Sequence, residues 1–236
     1  MPKLTILVSL YNSGEWIKNR LDNLMASTVV NEAEIWCVNA NSPDERDDLI
    51  PRQYPVRYEK LQNRISVYET WNYIIERSNS DYITNANSDD IVSPKCYELL
   101  MRALDKNNHY SFAYPSWYCT RMANQQWSSM THIDPGGRPG RYCGDIDKAG
   151  VGHFPLWRRS LHDQVGLFDT NFKAMADAEW WARCYYKAKA QFLWIDEYLG
   201  CYLDRNGQNL WSQAISSDEW QRYHHIIHGF RNVTPQ

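Results

Sequence analysis

The sequence predicts an α/β fold, a mostly parallel sheet flanked by helices and followed by a smaller mixed region, and three observations carry that prediction. The first half runs strand, polar loop, helix four times over, which is how βαβ units build a parallel sheet. The opening run Leu4-Thr5-Ile6-Leu7-Val8 is continuously apolar, as strands buried on both faces are. A chain of 236 residues with 43% hydrophobic content can bury one sizeable core but is short for two. We therefore expect one domain over 1–236, with a regular half at 1–110 and a less regular half at 111–236.

The elements follow in order. After the first strand the chain turns at Tyr11-Asn12, where Asn12 and Glu15 have the spacing of a capping box, and Ile17, Leu21, Leu24 and Met25 form a helical stripe. A second strand, Glu34 to Val38, runs into the polar turn Asn39 to Asp44 and a short charged helix; a third lies around Val56 to Glu59. Ser66-x-x-Glu69 is a second capping box, ahead of a helix whose buried face is Val67, Trp71, Ile74 and Ile75. Strand Asp81 to Thr84 stops at Asn87-Ser88-Asp89-Asp90, and Ser93-Pro94 suit the N-cap and N1 of a helix with Leu99, Leu100, Ala103 and Leu104 inward. In the second half come aromatic strands around Ser111 to Cys119, and then a Gly/Pro-rich stretch, Asp134 to Gly140, expected to be an irregular, lid-like loop. The segment Gly152 to Trp157, a short helix at Leu161 to Val165 and a strong helix from about Asp177 to Lys189 complete the chain's pattern.

Composition narrows the function. With 25 Lys and Arg against 28 Asp and Glu the formal charge is -3, which offers no basic footprint for nucleic acid. No run approaches the ~20 apolar residues of a membrane span, and the amino terminus lacks a signal-peptide layout. The expectation is a cytoplasmic protein without a transmembrane segment, peripheral membrane contact remaining open. The six cysteines lie far apart with no C-x-x-C pair, so buried reduced thiols are expected rather than zinc or disulfides. The 11 Trp and 16 Tyr include rings that could stack on sugars, although core packing accounts for most of them.

Two constellations could carry chemistry. Loops leaving the carboxyl ends of parallel strands gather along one edge, where ligands bind. Asn87-Ser88-Asp89-Asp90 ends such a strand, and oxygen ligands of this kind suit Mg²⁺ or Mn²⁺, which takes one or two carboxylates while substrate phosphates complete its shell. A solvated turn is the plainer account of the same four residues. Asp177-Ala178-Glu179-Trp180-Trp181 opens the strong helix, where Asp177 could be a helix cap or a general base.

In order along the chain, Val8-Ser9-Leu10-Tyr11-Asn12, Asn39 to Asp44, Trp71-Asn72, Tyr82 to Asp90, Arg158-Arg159-Ser160-Leu161 with Val165 to Asp169, and Asp177-x-Glu179-Trp180-Trp181 resemble the motifs of family 2 glycosyltransferases of the GT-A fold. The resemblance implies an inverting transfer from a nucleotide-diphosphate sugar to an acceptor hydroxyl, the acceptor being a glycan, a lipid-linked sugar or a protein. It implies a nucleotide-sugar half at 1–110 and an acceptor half at 111–236. Leu10, Tyr11, Asn12, Asn39 and Asn41 would hold the nucleoside, with Asn72, Asn87 and Ser88 nearby. Asp89 would contact the metal, Mn²⁺ or Mg²⁺, and the diphosphate, with Asp90 beside it. Asp177 would be the catalytic base and Glu179 would orient the acceptor.

The sequence departs from the family pattern at Asn87, where the first acid of an Asp-x-Asp signature is an amide, and at Asn39 and Ala40, where acids are common. Arg205 stands in the region where many relatives keep a diphosphate-contacting His, and could supply that charge. Two other activities would use parts of the same pattern. A sugar nucleotidyltransferase would carry a basic, Gly-rich loop after the first strand, and Leu10 to Glu15 has no basic residue. A non-catalytic carbohydrate-binding module would suit the tryptophans but leaves Asp89, Asp90 and Asp177 without a task.

Overall fold

A computed structural model of the chain describes residues 1–137, 151–206 and 218–233. Strands β1 (Leu4–Leu10), β2 (Ala33–Asn39), β3 (Arg57–Lys60) and β4 (Tyr82–Asn85) pair in parallel in the order β3-β2-β1-β4. Helices α1 (Ile17–Met25), α2 (Arg46–Leu49), α3 (Val67–Ile75) and α4 (Cys96–Lys106) follow these strands in turn. Beyond β4 the sheet continues through β8 (Leu156–Arg158), β6 (Tyr110–Thr120), β9 (Gln191–Leu203) and β5 (Ile91–Val92), while β7 (Ile133–Gly137) pairs β6 off that path. The expected α/β class and mostly parallel sheet are what the structure has.

The apolar run of β1 is buried on both faces, as its composition requires. Leu4, Ile6, Val8 and Leu10 pack with Ile17, Leu21 and Leu24 of α1 and with Tyr97, Leu100 and Leu104 of α4. Leu7 on the opposite face joins α3 and the second-half helices α5 (Leu161–Val165), α6 (Ala176–Ala188) and α7 (Asp218–Val233). That second core is aromatic, with the Trp157, Phe168 and Trp180 rings 5.0 to 6.2 Å apart. His162 stacks on Trp180 at 4.3 Å. Its Nε2 accepts from Trp157 Nε1 at 3.0 Å, and Nδ1 lies 3.2 Å from the Gly166 carbonyl. Burial pushes its pKa down to about 3, so the neutral ring is a structural member of this core. Five described cysteines are free, and four of them are buried.

Several expected details are corrected. Helix α1 starts at Ile17 with Trp16 as an N-cap that makes no side-chain bond, so Asn12 and Glu15 do not form a capping box. Asn12 sits at φ 53°, and its N–H donates to Ser42 Oγ at 3.0 Å, so it turns the chain toward the β2 loop. Helix α4 starts at Cys96, not at Ser93-Pro94, because Ile91–Val92 is held as a strand on β9 and the Ser93 N–H donates to the Leu199 carbonyl at 2.8 Å. The capping box Ser66-Glu69 does form, with both reciprocal bonds present.

Of the expected loop at Asp134 to Gly140, Asp134 to Gly137 belong to β7, paired antiparallel to β6; the remaining Arg138 to Gly140 lie outside the described residues. A Cβ on Gly137 would overlap the Trp117 ring, so this glycine serves close approach rather than mobility. Among the described residues no helix is long and apolar enough to cross a membrane.

Candidate active site

A cleft of about 1210 Å³ opens at the carboxyl ends of β1 and β4. Strand β1 brings Tyr11 and Asn12 to it, β4 brings Asn87, Ser88 and Asp89, α6 brings Asp177 and Trp181, and the chain after β9 brings Asp204 and Arg205. This is the edge of a parallel sheet where connecting loops converge.

The two adjacent acids at the end of β4 have different surroundings. Asp90 is 1% exposed; its Oδ1 accepts from the Leu203 N–H at 2.9 Å and its Oδ2 from Asn87 Nδ2 at 3.0 Å. Oδ1 thus ties the acidic loop to the end of β9, two residues before Arg205, while Oδ2 closes the loop on itself, and the side chain is not among those lining the cleft. Burial, and then the neighbouring Asp89 charge, push the Asp90 carboxyl up to about 7. Asp89 does line the cleft, and its Oδ2 lies 3.3 Å from Arg205 Nε. Its carboxyl is also shifted upward by burial, against the opposing pull of Arg205.

This geometry accounts for the amide at Asn87. Its NH₂ group donates to a buried carboxylate, which an aspartate in that place could do only by holding a proton. Asn87→Asp is expected to cost about 1–3 kcal/mol at about pH 8, since two carboxyls would meet across one hydrogen bond. Such a pair is penalised only while both are charged, so the loss should shrink as pH falls through the raised Asp90 value near 7. Denaturant unfolding of the variant and parent at about pH 5 and about pH 8 measures this.

Asp177 lies inside the first turn of α6, whose N-cap is Met175 with no side-chain bond, so it is not the cap residue. Its Oδ1 accepts from the Ala178 N–H at 2.8 Å and from the Tyr68 hydroxyl at 3.2 Å. Burial pushes its carboxyl up to about 6, these two donors pulling the other way. A carboxylate there is still ionised at neutral pH and is a stronger base than an exposed one.

Glu179, two residues on, does not line the cleft. It is 5% exposed and forms a two-point ion pair with Arg183 at 3.0 and 2.6 Å, and Arg183 also donates to the Val165 carbonyl at 2.6 Å. Removing Glu179 leaves the partly buried Arg183 cation without its carboxylate, so Glu179→Ala should destabilise the protein by about 3 kcal/mol. Chemical denaturation checks the value; a loss below about 1 kcal/mol would contradict this structural role.

The other expected nucleoside contacts divide. Tyr11 and Asn12 line the cleft, whereas Leu10, Asn39, Asn41 and Asn72 do not. Asn39 holds its own turn, accepting from the Ser42 N–H at 2.7 Å. Asn41 donates to the Gln62 carbonyl at 3.0 Å. Asn72 brackets Phe168, donating to its carbonyl at 2.9 Å and accepting from its N–H at 3.0 Å.

Sequence reasoning did not single out Tyr68, Arg64, Trp220 or Tyr223, all of which line the cleft. The Arg64 guanidinium lies 4.3 Å from the Tyr11 ring centroid, a cation held beside an aromatic face. Trp220 and Tyr223 come from α7, where their i, i+3 spacing was available as a helical signal. Among the described residues no group of three or more His, Cys, Asp or Glu side chains forms a metal cage.

Comparison with known proteins agrees with this architecture. The sequence model described as Glycosyl transferase family 2 matches residues 5–166. An uncharacterized glycosyltransferase of Rickettsia bellii is 23% identical over 206 residues, covering 81% of this chain and 28% of its own length. Another from Rickettsia typhi is 23% identical over 193 residues, covering 76% of this chain and 58% of its own. The chain thus spans less than two thirds of these curated relatives. Among solved structures, S. aureus TarS 1-349 in complex with UDP-GlcNAc superposes with a TM-score of 0.77 at 14% identity, over 99% of this chain and 68% of that one. The mannosyltransferase PcManGT from Pyrobaculum calidifontis, in complex with GDP-Man and Mn²⁺, gives 0.66 at 12% identity, over 98% and 70%. At these identities the structural likeness speaks for the fold.

Proposed function

The chain belongs to glycosyl transferase family 2, and on that premise we propose that it moves a sugar from a nucleotide-diphosphate sugar to an acceptor hydroxyl, inverting the anomeric centre. The observation that carries this reading is Asp177, a half-buried carboxylate on the cleft wall, tethered through Oδ1 and shifted upward to about 6. The acceptor hydroxyl gives its proton to Asp177 while its oxygen bonds to the anomeric carbon, and the bond to the diphosphate breaks with its electron pair leaving on the phosphate. One displacement inverts; no second carboxylate is needed for a covalent intermediate.

At the donor end, Tyr11 and Asn12 would hold the nucleoside and Arg205 would face the diphosphate. Leu10, Asn39 and Asn41 act from behind by fixing those loops, as Asn72 does for Phe168. Asp90 positions Arg205 through Leu203, and Glu179 braces α6 rather than touching the acceptor. The donor set of Asn87, Ser88 and Asp89 offers oxygens around one cleft-facing carboxylate, which fits Mn²⁺ or Mg²⁺ bound mainly through substrate phosphates. Mn²⁺ accompanies GDP-Man in PcManGT. Such an ion, when bound, supplies positive charge to the departing diphosphate. The donor class rests on the UDP-GlcNAc and GDP-Man of the structural neighbours. The acceptor class stays a glycan, a lipid-linked sugar or a protein.

Thermal unfolding with UDP or GDP, with and without Mn²⁺, tests donor binding. A ligand at about 100 times its Kd stabilises by about 2.7 kcal/mol. A metal-dependent rise in Tm is expected for at least one nucleotide; no rise with any nucleoside diphosphate would count against the reading.

A further inference from the structure

Resting on the reading of Asp177 as the base, we propose that Tyr68 is the positioning residue that holds Asp177 in its reactive orientation, so that one carboxylate oxygen is tethered and the other is left for the acceptor proton. Tyr68 stands in the first turn of α3, and that turn is fixed from both sides. Ser66 Oγ accepts from the Glu69 N–H at 3.2 Å while Glu69 Oε2 accepts from the Ser66 N–H at 2.7 Å. The Tyr68 ring is 3% exposed and packs edge-on to Trp71 at 5.3 Å and against Phe168 at 5.9 Å. A ring held this way cannot swing, so its hydroxyl presents a donor at one point in space.

That point is Asp177 Oδ1, 3.2 Å away, which also receives the Ala178 N–H at 2.8 Å. Two donors on one oxygen, from two different helices, fix the carboxylate plane. No side-chain donor among the described residues reaches Oδ2. With Oδ1 taken by these two donors and Asp177 on the cleft wall, Oδ2 is assigned to the incoming hydroxyl.

The charged and titratable groups around the carboxylate come from three directions. Tyr68 on α3 favours the ionised form by its hydrogen bond. Glu219 on α7 opposes it through its negative charge, although its Oε1 is also occupied by the Lys173 and Ala174 N–H groups just before α6. Tyr223 on α7 feels the Asp177 charge in turn, and Lys173 lines the same cleft. Among these, the Tyr68 hydroxyl is the side-chain group bonded directly to Asp177, and its partner lies 109 residues away in sequence.

Tyr68→Phe removes the hydroxyl and keeps the ring. Because the lost bond favours the charged carboxylate, the Asp177 pKa should rise, and the acid limb of the kcat profile should move upward by about one pH unit. Turnover near neutral pH should fall about tenfold while donor affinity stays within a few-fold of the parent. A merely structural Tyr68 would lower rates without moving the limb. Carbon-13 NMR titration of the Asp177 carboxyl in the folded protein without substrates gives the same shift independently of turnover. An unmoved limb and unmoved titration, in a preparation whose Asp177→Asn counterpart is inactive, overturn the role of Tyr68 alone. An active Asp177→Asn protein overturns the base assignment and this inference with it.

Discussion

Asp177→Asn is expected to lower kcat by about 10²–10⁴ with donor affinity near that of the parent, because general-base catalysis contributes about that much. The substitution is unusually clean here. An Asn carbonyl oxygen can still accept from the Ala178 N–H and the Tyr68 hydroxyl that hold Oδ1, but the side chain cannot take a proton. The helix cap is not disturbed, since Met175 occupies that position. Nor should stability suffer. Burial raises the Asp177 carboxyl from its ordinary value to about 6, so the ionised form is a burden on the fold above that pH, relieved as pH falls through it. At neutral pH the Asn protein should therefore be as stable as the parent or more so. Turnover within a few-fold of the parent would remove Asp177 from the mechanism.

Asp89→Ala should weaken Mn²⁺-dependent binding of a nucleoside diphosphate by about 100-fold or more, since Asp89 is the cleft-facing carboxylate of the β4 loop. The sign should reverse when the metal is chelated. Without a cation, the Asp89 carboxylate repels the diphosphate and engages Arg205 at 3.3 Å, so deleting it takes away a like charge and an ion pair at once. Calorimetric titration with and without chelator separates these terms. Equal affinities for parent and variant in both conditions would place the diphosphate elsewhere.

The parts of this molecule that the sequence discloses are those fixed by local pattern. The apolar run of β1 implied burial on both faces, and the structure splits Leu7 from Leu4, Ile6 and Val8 across the sheet. The box Ser66-Glu69 is local and forms as read. The site is only partly legible, because neighbouring residues differ in what distant chain they meet. Asp89 and Asp90 are adjacent acids with the same chemistry, and their fates part because the Leu203 N–H, 113 residues on, captures Asp90. Tyr68 sits beside the expected α3 stripe with no mark of its partnership with Asp177. Glu179 is different: its i, i+4 spacing to Arg183 is visible in the sequence, but its place in a catalytic-helix motif points to the acceptor instead. At Asp134 to Gly137 composition favoured a loop, whereas the glycines fit β7 against Trp117; which large ring a glycine makes room for is a tertiary fact.

The most direct test of the whole account is release of nucleoside diphosphate from a panel of nucleotide sugars by the parent protein with Mn²⁺ and a mixture of glycan acceptors, with Asp177→Asn run beside it. Release from at least one donor is expected, abolished or reduced by about 10²–10⁴ in the Asn protein. Release that is equal in parent and variant would contradict the mechanism, and none from any donor, in a protein that shows no thermal stabilisation by nucleoside diphosphates, would contradict the assignment of the cleft to sugar transfer.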